Sequence, residues 1–418
     1  MPFRIALSGL NSSTADLKST GNNIANASTT GFKSSRTEFV DVFAVGYGGI
    51  SATAIGGGVR LASVTQQFSQ GNVDFTDNNL DLAVNGQGFF VLSDGGTRVL
   101  TRAGAFKSDR EGNVVNSSGH KLQVFPAITT ASGTSFDTGR LTDLQLSTNE
   151  GVPKSTDEIS SKLNLNAAEI TPLVAFNAAL TTPDPASYNS STSLTIYDSL
   201  GAQHAATQYF VKTSPNSWDA YLKIDGATVT GSPANLTFTN QGLLNPSLSS
   251  GSNGVVTMGP TTTISSTTGS SEITLDLDFS NLTQYGSPFS VSALQQTGYS
   301  TGRLSGIDID SGGIVSARYT NGQSKTLGKV ALANVANPQG LSPQGDTVWG
   351  ETFSAGDLIL GEAGTSSFGL MQSGALESSN VDIAGELVNL ITAQRNFQAN
   401  AQVISTADAV TQTIINIR

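Results

Sequence analysis

Phe3-Arg-Ile-Ala-Leu-Ser-Gly-Leu-Asn-Ser-Ser-Thr-Ala-Asp-Leu-Lys-Ser-Thr-Gly-Asn-Asn-Ile-Ala-Asn-Ala27 decides how the rest of the chain folds around its ends. Phe3, Ala6, Leu10, Ser13, Leu17, Thr20, Ile24 and Ala27 alternate at steps of three and four, the spacing of a heptad seam on a helix. The far end carries the same rhythm. Ile383, Leu387, Leu390, Gln394, Phe397, Ala401 and Ile404 repeat it, and Ala407, Val410, Ile414 and Ile417 extend the apolar face. Matching stripes at the two ends predict paired α-helical coiled-coil termini. The candidate polymerisation seam is Leu10, Leu17, Ile24, Ile383, Leu387, Leu390, Phe397, Ile404 and Ile414. Ser13 and Thr20 are small and polar, which weakens a two-stranded coil but lets backbones approach closely in a packed array. Ends of this kind have little else to bury against, so they are expected to be disordered in the monomer and to fold on assembly.

Composition points the middle of the chain in another direction. The 418 residues are too many for one ordinary core, and 45 glycines with only 13% charged residues imply many turns and short strands. A net charge of −11 argues against nucleic acid or an anionic membrane as partner, because both require a basic patch. The sequence has no cysteine, which excludes disulfides. It has no run of 18 apolar residues and no conventional signal peptide at its start, so neither membrane insertion nor a cleaved leader is expected.

The expected organisation is nested, a mainly β multidomain body between helical ends. Residues 1–28 with 371–418 form the terminal helices, and 29–70 with 359–370 a link, read as loop or irregular extended chain around its glycines. Residues 71–145 with 291–358 form an inner β domain, marked by the apolar runs Phe89-Phe-Val-Leu92 and Lys329-Val-Ala-Leu-Ala-Asn334. Residues 146–290 form an inserted outer β domain, with strand candidates at Ser193–Tyr197, Thr207–Lys212, Trp218–Ile224 and Glu272–Phe279. Nesting brings both termini to one end of the molecule, as the matching seams require.

Chemistry has no evident home in this sequence. Gly298-Tyr-Ser300-Thr-Gly302 has the letters of a nucleophile elbow, but Arg303 to Val315 alternates like a hairpin instead of opening a helix. Asp308-Ile-Asp310-Ser-Gly-Gly313 resembles half a calcium loop, yet Tyr319 stands where the closing Glu belongs, so a hairpin turn is expected. His120 and His204 are the only histidines, too few for a zinc site without cysteine. Asp74, Asp77 and Asp81 read as turn residues. The expectation is no enzyme, no catalytic or metal-binding residues and no cofactor. Phe39 and Phe43 share one face if their stretch is helical, where packing in the link is the first reading.

Gly21-Asn-Asn-Ile-Ala-Asn-Ala-Ser-Thr-Thr-Gly-Phe-Lys33, preceded by Ala6-Leu-Ser-Gly-Leu-Asn11, resembles the axial proteins of the bacterial flagellum. So do Gly374-Ala-Leu-Glu-Ser-Ser-Asn-Val-Asp382, Ala393-Gln-Arg-Asn-Phe-Gln-Ala-Asn400 and the closing Ile415-Asn-Ile-Arg418. Within that group, Asp81-Leu-Ala-Val-Asn-Gly-Gln-Gly-Phe-Phe90 with Arg102-Ala-Gly-Ala-Phe106, Leu194-Thr-Ile-Tyr-Asp-Ser-Leu-Gly201 with Tyr209-Phe-Val-Lys212, and Lys329-Val-Ala-Leu-Ala-Asn334 resemble the flagellar hook proteins. The resemblance implies a structural subunit that self-assembles into a helical tube, a universal joint passing torque from rod to filament. It implies the distal rod protein, hook cap protein, hook-filament junction protein and flagellar type III export apparatus as partners, and an extracellular flagellar location reached without a cleaved signal peptide. By the same resemblance Phe39 and Phe43 match an export-recognition motif. A distal rod protein is the nearer alternative, against which length and the insert speak. A secreted β-rich adhesin or glycan-active enzyme is the other, and it leaves the paired ends unexplained.

Overall fold

The computed structural model describes residues 2–43, 56–130, 133–146, 151–261, 269–365 and 367–416. It is mostly β, with one helix at each end: α1 spans Pro2–Ala25 and α2 spans Ile383–Asn416. The turn after α1 is fixed by Asn26, whose N–H returns to the Asn22 and Asn23 carbonyls, and by Gly31 in the left-handed region at φ 69°. At the start of α2 the Asp382 carboxylate accepts the Ala384 N–H at 3.1 Å, and Glu386 lies in the first turn, where the helix dipole favours it.

The chain divides into two compact units. The first comprises Met1–Thr148, Ser305–Arg318 and Ser324–Arg418. Its main sheet is built on Phe89–Asp94, Lys121–Thr130 and Ser324–Asn334, all antiparallel to one another where they pair. Phe90, Leu92, Leu122, Val124, Val330 and Leu332 fill one core, while Phe89, Val91, Leu100, Phe125, Ala331 and Ala333 fill another on the opposite face. A strand buried on both faces has no polar side, so it reads as a continuous apolar run, the form in which two of these strands stand in the sequence.

Two expectations for this unit need correction. Part of the link is a regular antiparallel hairpin, Ser35–Asp41 against Val59–Gln66, with a register shift between Glu38 and Phe39. β-Branched residues on both strands, with Phe39 on the first, favour it, and the glycine-rich stretch that suggested a loop lies largely outside the described residues. The segment from 371 is not helical at first. Leu370–Ser373 pairs with Leu82–Asn85, and Ala375–Glu377 pairs with Val73–Phe75, before α2 begins.

The second unit comprises Asn149–Leu304 and Tyr319–Gln323. One five-stranded sheet contains Glu158–Asn166 and Ile273–Asp278, and the other contains Ser190–Tyr197, Gln203–Ser214 and Ser217–Ile224. A shared core of Phe210, Trp218, Leu222, Leu275 and Phe279 fills the space between them. The limit expected at 290 lies too early, because Ser290–Gln296 completes a ladder with Glu158–Asn166.

Candidate polymerisation surface

Helices α1 and α2 pack against each other. Among the described side chains, those buried on α1 are the small Ala6, Ser13 and Thr20, seven apart, followed by Asn23; on α2 it is Ala393. Ser13 returns its hydroxyl to the Gly9 carbonyl at 2.9 Å, so its burial leaves no hydroxyl unpaired. Gly9 sits so close to α2 that an added Cβ would stand 2.5 Å from the Asn400 amide oxygen. Small side chains bring these two backbones together, and the large apolar ones are pushed to the margin.

The predicted seam residues divide accordingly. Leu10, Leu17, Ile24, Leu390, Phe397 and Ile404 are half-buried, Ile383 and Leu387 are exposed, and the side chain of Ile414 lies outside the described residues. Phe3, Ile5 and Leu7 on α1 and Val388, Ile391, Val403 and Val410 on α2 are exposed as well. Rows of exposed apolar side chains on a helix are the mark of an interaction surface.

Behind the helices lies a cluster of charges. Lys33 donates to the Glu377 carboxylate at 2.5 Å and to the Ser69 carbonyl at 2.7 Å. Arg102 reaches the other Glu377 oxygen at 3.3 Å and the Gly86 carbonyl at 2.8 Å. The Gly71 N–H adds a third donor to the carboxylate at 3.0 Å, and the Gly31 N–H bonds the Glu377 carbonyl at 2.7 Å. Lys33 and Glu377 are fully buried. Burial pushes the Lys33 ammonium down from its ordinary value, against the opposing pull of Glu377, and burial lowers Arg102 likewise.

Amides extend the cluster to both helices. Asn380 accepts the Ser34 N–H at 2.7 Å and donates to the Gln67 carbonyl at 2.7 Å. Asn23 on α1 donates to Glu386 on α2 at 3.0 Å and exchanges two bonds with the Ser35 backbone, each 2.8 Å. Three stretches far apart in sequence, ending at Lys33, opening at Arg102 and centred on Glu377, thus converge on one carboxylate. A buried pair of this kind adds little net stability over an apolar one, yet losing one partner strands the other charge at high cost. Sequence reasoning singled out all three stretches and missed their meeting. The available signal was a sparse charge in each: Lys33 and Arg102 are the one charged residue of their stretches, and Glu377 shares its stretch with Asp382 alone.

Phe39 lies in a strand, so the condition under which it would share a helical face with Phe43 is not met; both rings are more than a third exposed. No helix opens after Ser300, which is flanked by bridges from Tyr299 to Lys154 and from Gly302 to Gly151. Asp310 caps a turn through the Ile314 N–H at 2.8 Å, as a hairpin requires. His204 is held by Asp225 at 2.7 Å. Among the described residues no helix is long and apolar enough to cross a membrane.

Comparison with known proteins gives a consistent picture along the whole chain. Family models match in four places: the flagella basal body rod protein at 3–33, the flagellar hook protein FlgE/F/G D1 domain at 83–153, the flagellar basal body protein FlaE D2 domain at 164–299, and the flagellar basal body rod FlgEFG protein C-terminal at 372–417. The chain is 37% identical to the flagellar hook protein FlgE of Salmonella typhimurium over 422 residues, covering 100% of both. It is likewise 37% identical to that of Escherichia coli over 426 residues, again covering 100% of both. To the Borreliella burgdorferi protein of the same name it is 32% identical, covering 99% of this chain and 98% of the relative. The crystal structure of Helicobacter pylori flagellar hook protein FlgE2 shares the fold, with a TM-score of 0.52 at 14% identity over 73% of this chain and 100% of that one.

Proposed function

This chain belongs to the flagellar hook protein family and is a hook subunit of the extracellular flagellum, and we propose that its terminal helices are the polymerising part of a tube that works as a flexible universal joint. The observation that carries this reading is the incomplete burial of the helix pair: α1 and α2 meet through small residues and leave rows of large apolar ones uncovered. In the tube, copies of the same helices cover those rows in coiled-coil fashion, with Leu10, Leu17, Ile24, Ile383, Leu387, Leu390, Phe397, Ile404 and Ile414 as seam. Close helix packing resists shear and so transmits torque. The β units touch neighbours through more polar surfaces, which exchange partners at low cost and let the tube bend.

The distal rod protein, hook cap protein, hook-filament junction protein and type III export apparatus are the partners this role requires, with Phe39 and Phe43 offered to the export apparatus before the chain folds. Electron microscopy of purified protein after polymerisation tests the reading. The expected result is hollow tubes of regular helical order with the terminal helices nearest the lumen. Amorphous aggregate, or tubes formed equally well by a chain lacking both helices, overturns it.

A further inference from the structure

Residues 167–189 of the second unit join the strands Glu158–Asn166 and Ser190–Tyr197, and their one regular element is the short turn Pro185–Ser187. They contribute nothing to the core between the two sheets, whose members skip from Leu165 to Leu194. Their own apolar side chains Ile170, Leu173, Val174 and Leu180 are exposed, Leu173 almost completely.

Side chains from the sheet hold this segment down. The ammonium of the fully buried Lys223 donates to the Ala178 carbonyl at 2.9 Å, to the Leu180 carbonyl at 2.6 Å and to the Gly226 carbonyl in its own hairpin at 3.1 Å. Thr228 adds a bond to the Ala178 carbonyl at 2.5 Å. Nearer the start, Lys212 donates to the Ala167 and Glu169 carbonyls, each at 2.7 Å. Between these two fastenings the Phe176 ring stacks on Tyr221 at 4.2 Å and lies 5.6 Å from Tyr209, the cross-strand partner of Tyr221. At the segment's ends the Ala167 N–H bonds the Tyr285 carbonyl at 2.9 Å and the Asn189 N–H bonds the Phe210 carbonyl at 3.0 Å.

We infer that residues 167–189 are a strap that opens as a unit while the two sheets stay folded, with Lys223 as its catch and its two backbone-bonded ends as hinges. Bonds from an ammonium are stronger than neutral ones, but few of them hold the strap, and leaving takes no side chain out of the core. Opening therefore costs less than unfolding the unit. It uncovers Tyr209 and Tyr221 and frees four apolar side chains, so the second unit has a surface that rearranges while its sheets hold. This is a property of the single chain and does not depend on polymerisation.

Limited proteolysis of the full-length protein with chymotrypsin tests the inference, since Leu173, Phe176, Leu180 and Tyr188 give the enzyme sites within the strap. The initial rate of cutting between 167 and 189 is read by mass spectrometry at low protease, and folding of the unit by Trp218 fluorescence in a Trp349→Phe background. Lys223→Met and Tyr221→Ala both lie outside the strap and leave its cleavage sites unaltered. Each is expected to raise the rate about tenfold or more, with Trp218 still in its native environment. Leu275→Val, a core change in the other sheet, is expected to lower the urea midpoint of the unit while strap cutting stays within about twofold of wild type. An unchanged rate in both Lys223→Met and Tyr221→Ala overturns the inference. So does a rise from Leu275→Val as large as theirs, because the strap would then leave only when the whole unit unfolds.

Discussion

Replacing Glu377 by Gln removes one charge from the first unit and little else. The carboxylate has Lys33 at 2.5 Å, the Gly71 N–H at 3.0 Å and Arg102 at 3.3 Å. An amide of the same size keeps one acceptor oxygen but turns an N–H toward one of the two cations. Leaving a buried charge without its partner costs about 3 to 5 kcal/mol, and the retained acceptor puts Glu377→Gln near about 3. With a urea slope of about 2 kcal/mol per molar, the unfolding midpoint of this unit falls by about 1.5 M. The two tryptophans make the measurement clean, because Trp349 lies in the first unit and Trp218 in the second. In a Trp218→Phe background, fluorescence follows Trp349, whose indole N–H bonds Gln66 at 2.5 Å. Adding Lys33→Met removes one of the stranded cations and should recover about 1 kcal/mol, a non-additivity expected only of residues in contact. A midpoint shift below about 0.5 M for Glu377→Gln, or simple additivity of the two changes, would refute the idea that this cluster clamps the unit.

Leu390→Asp puts a charge on the half-buried seam of α2 and should abolish tubes while leaving both urea transitions of the β units in place; wild-type tube yield would contradict the seam. Gly104→Ala would drive a Cβ into the Leu82 carbonyl oxygen, where only backbone can give way, and should cost about 3 kcal/mol or more on the same urea curve. Asp198 is fully buried, and although burial raises its pKa, bonds from the Ala202 and Leu200 N–H groups outweigh that and hold it below the ordinary carboxylate value. The native state therefore holds fewer protons than the unfolded chain. The stabilisation is present above about pH 4 and disappears as pH falls through the lowered native value. Asp198→Asn should flatten this acid limb in a Trp218-reported melt, and an unchanged limb would show that other carboxylates govern it.

The terminal helices were legible because a heptad stripe survives whether or not its partner is known. The central strands Phe89–Asp94 and Ser324–Asn334 were legible for a related reason, since burial on both faces leaves an uninterrupted apolar run. The hairpin at Ser35–Gln66 was not, because its register shift breaks strict alternation and glycines separate its arms. Which side of the stripe would be covered was also hidden. Periodicity marked Leu10 and Leu17 as strongly as Ser13 and Thr20, and only the close approach at Gly9 decides for the small residues. The charge cluster around Glu377 could not be read from order along the chain, as its members are brought together by strand pairing.

Lys33 and Glu377 stand 344 residues apart in a chain of 418. A polypeptide delivered from its amino end must therefore extend almost to its last helix before that carboxylate can meet its ammonium. Entropy adds little to the delay, because the cost of joining distant points grows only with the logarithm of their separation. What the arrangement imposes is sequence in time: in a chain that emerges amino end first, the Lys33–Glu377 pair can close only once residue 377 has emerged.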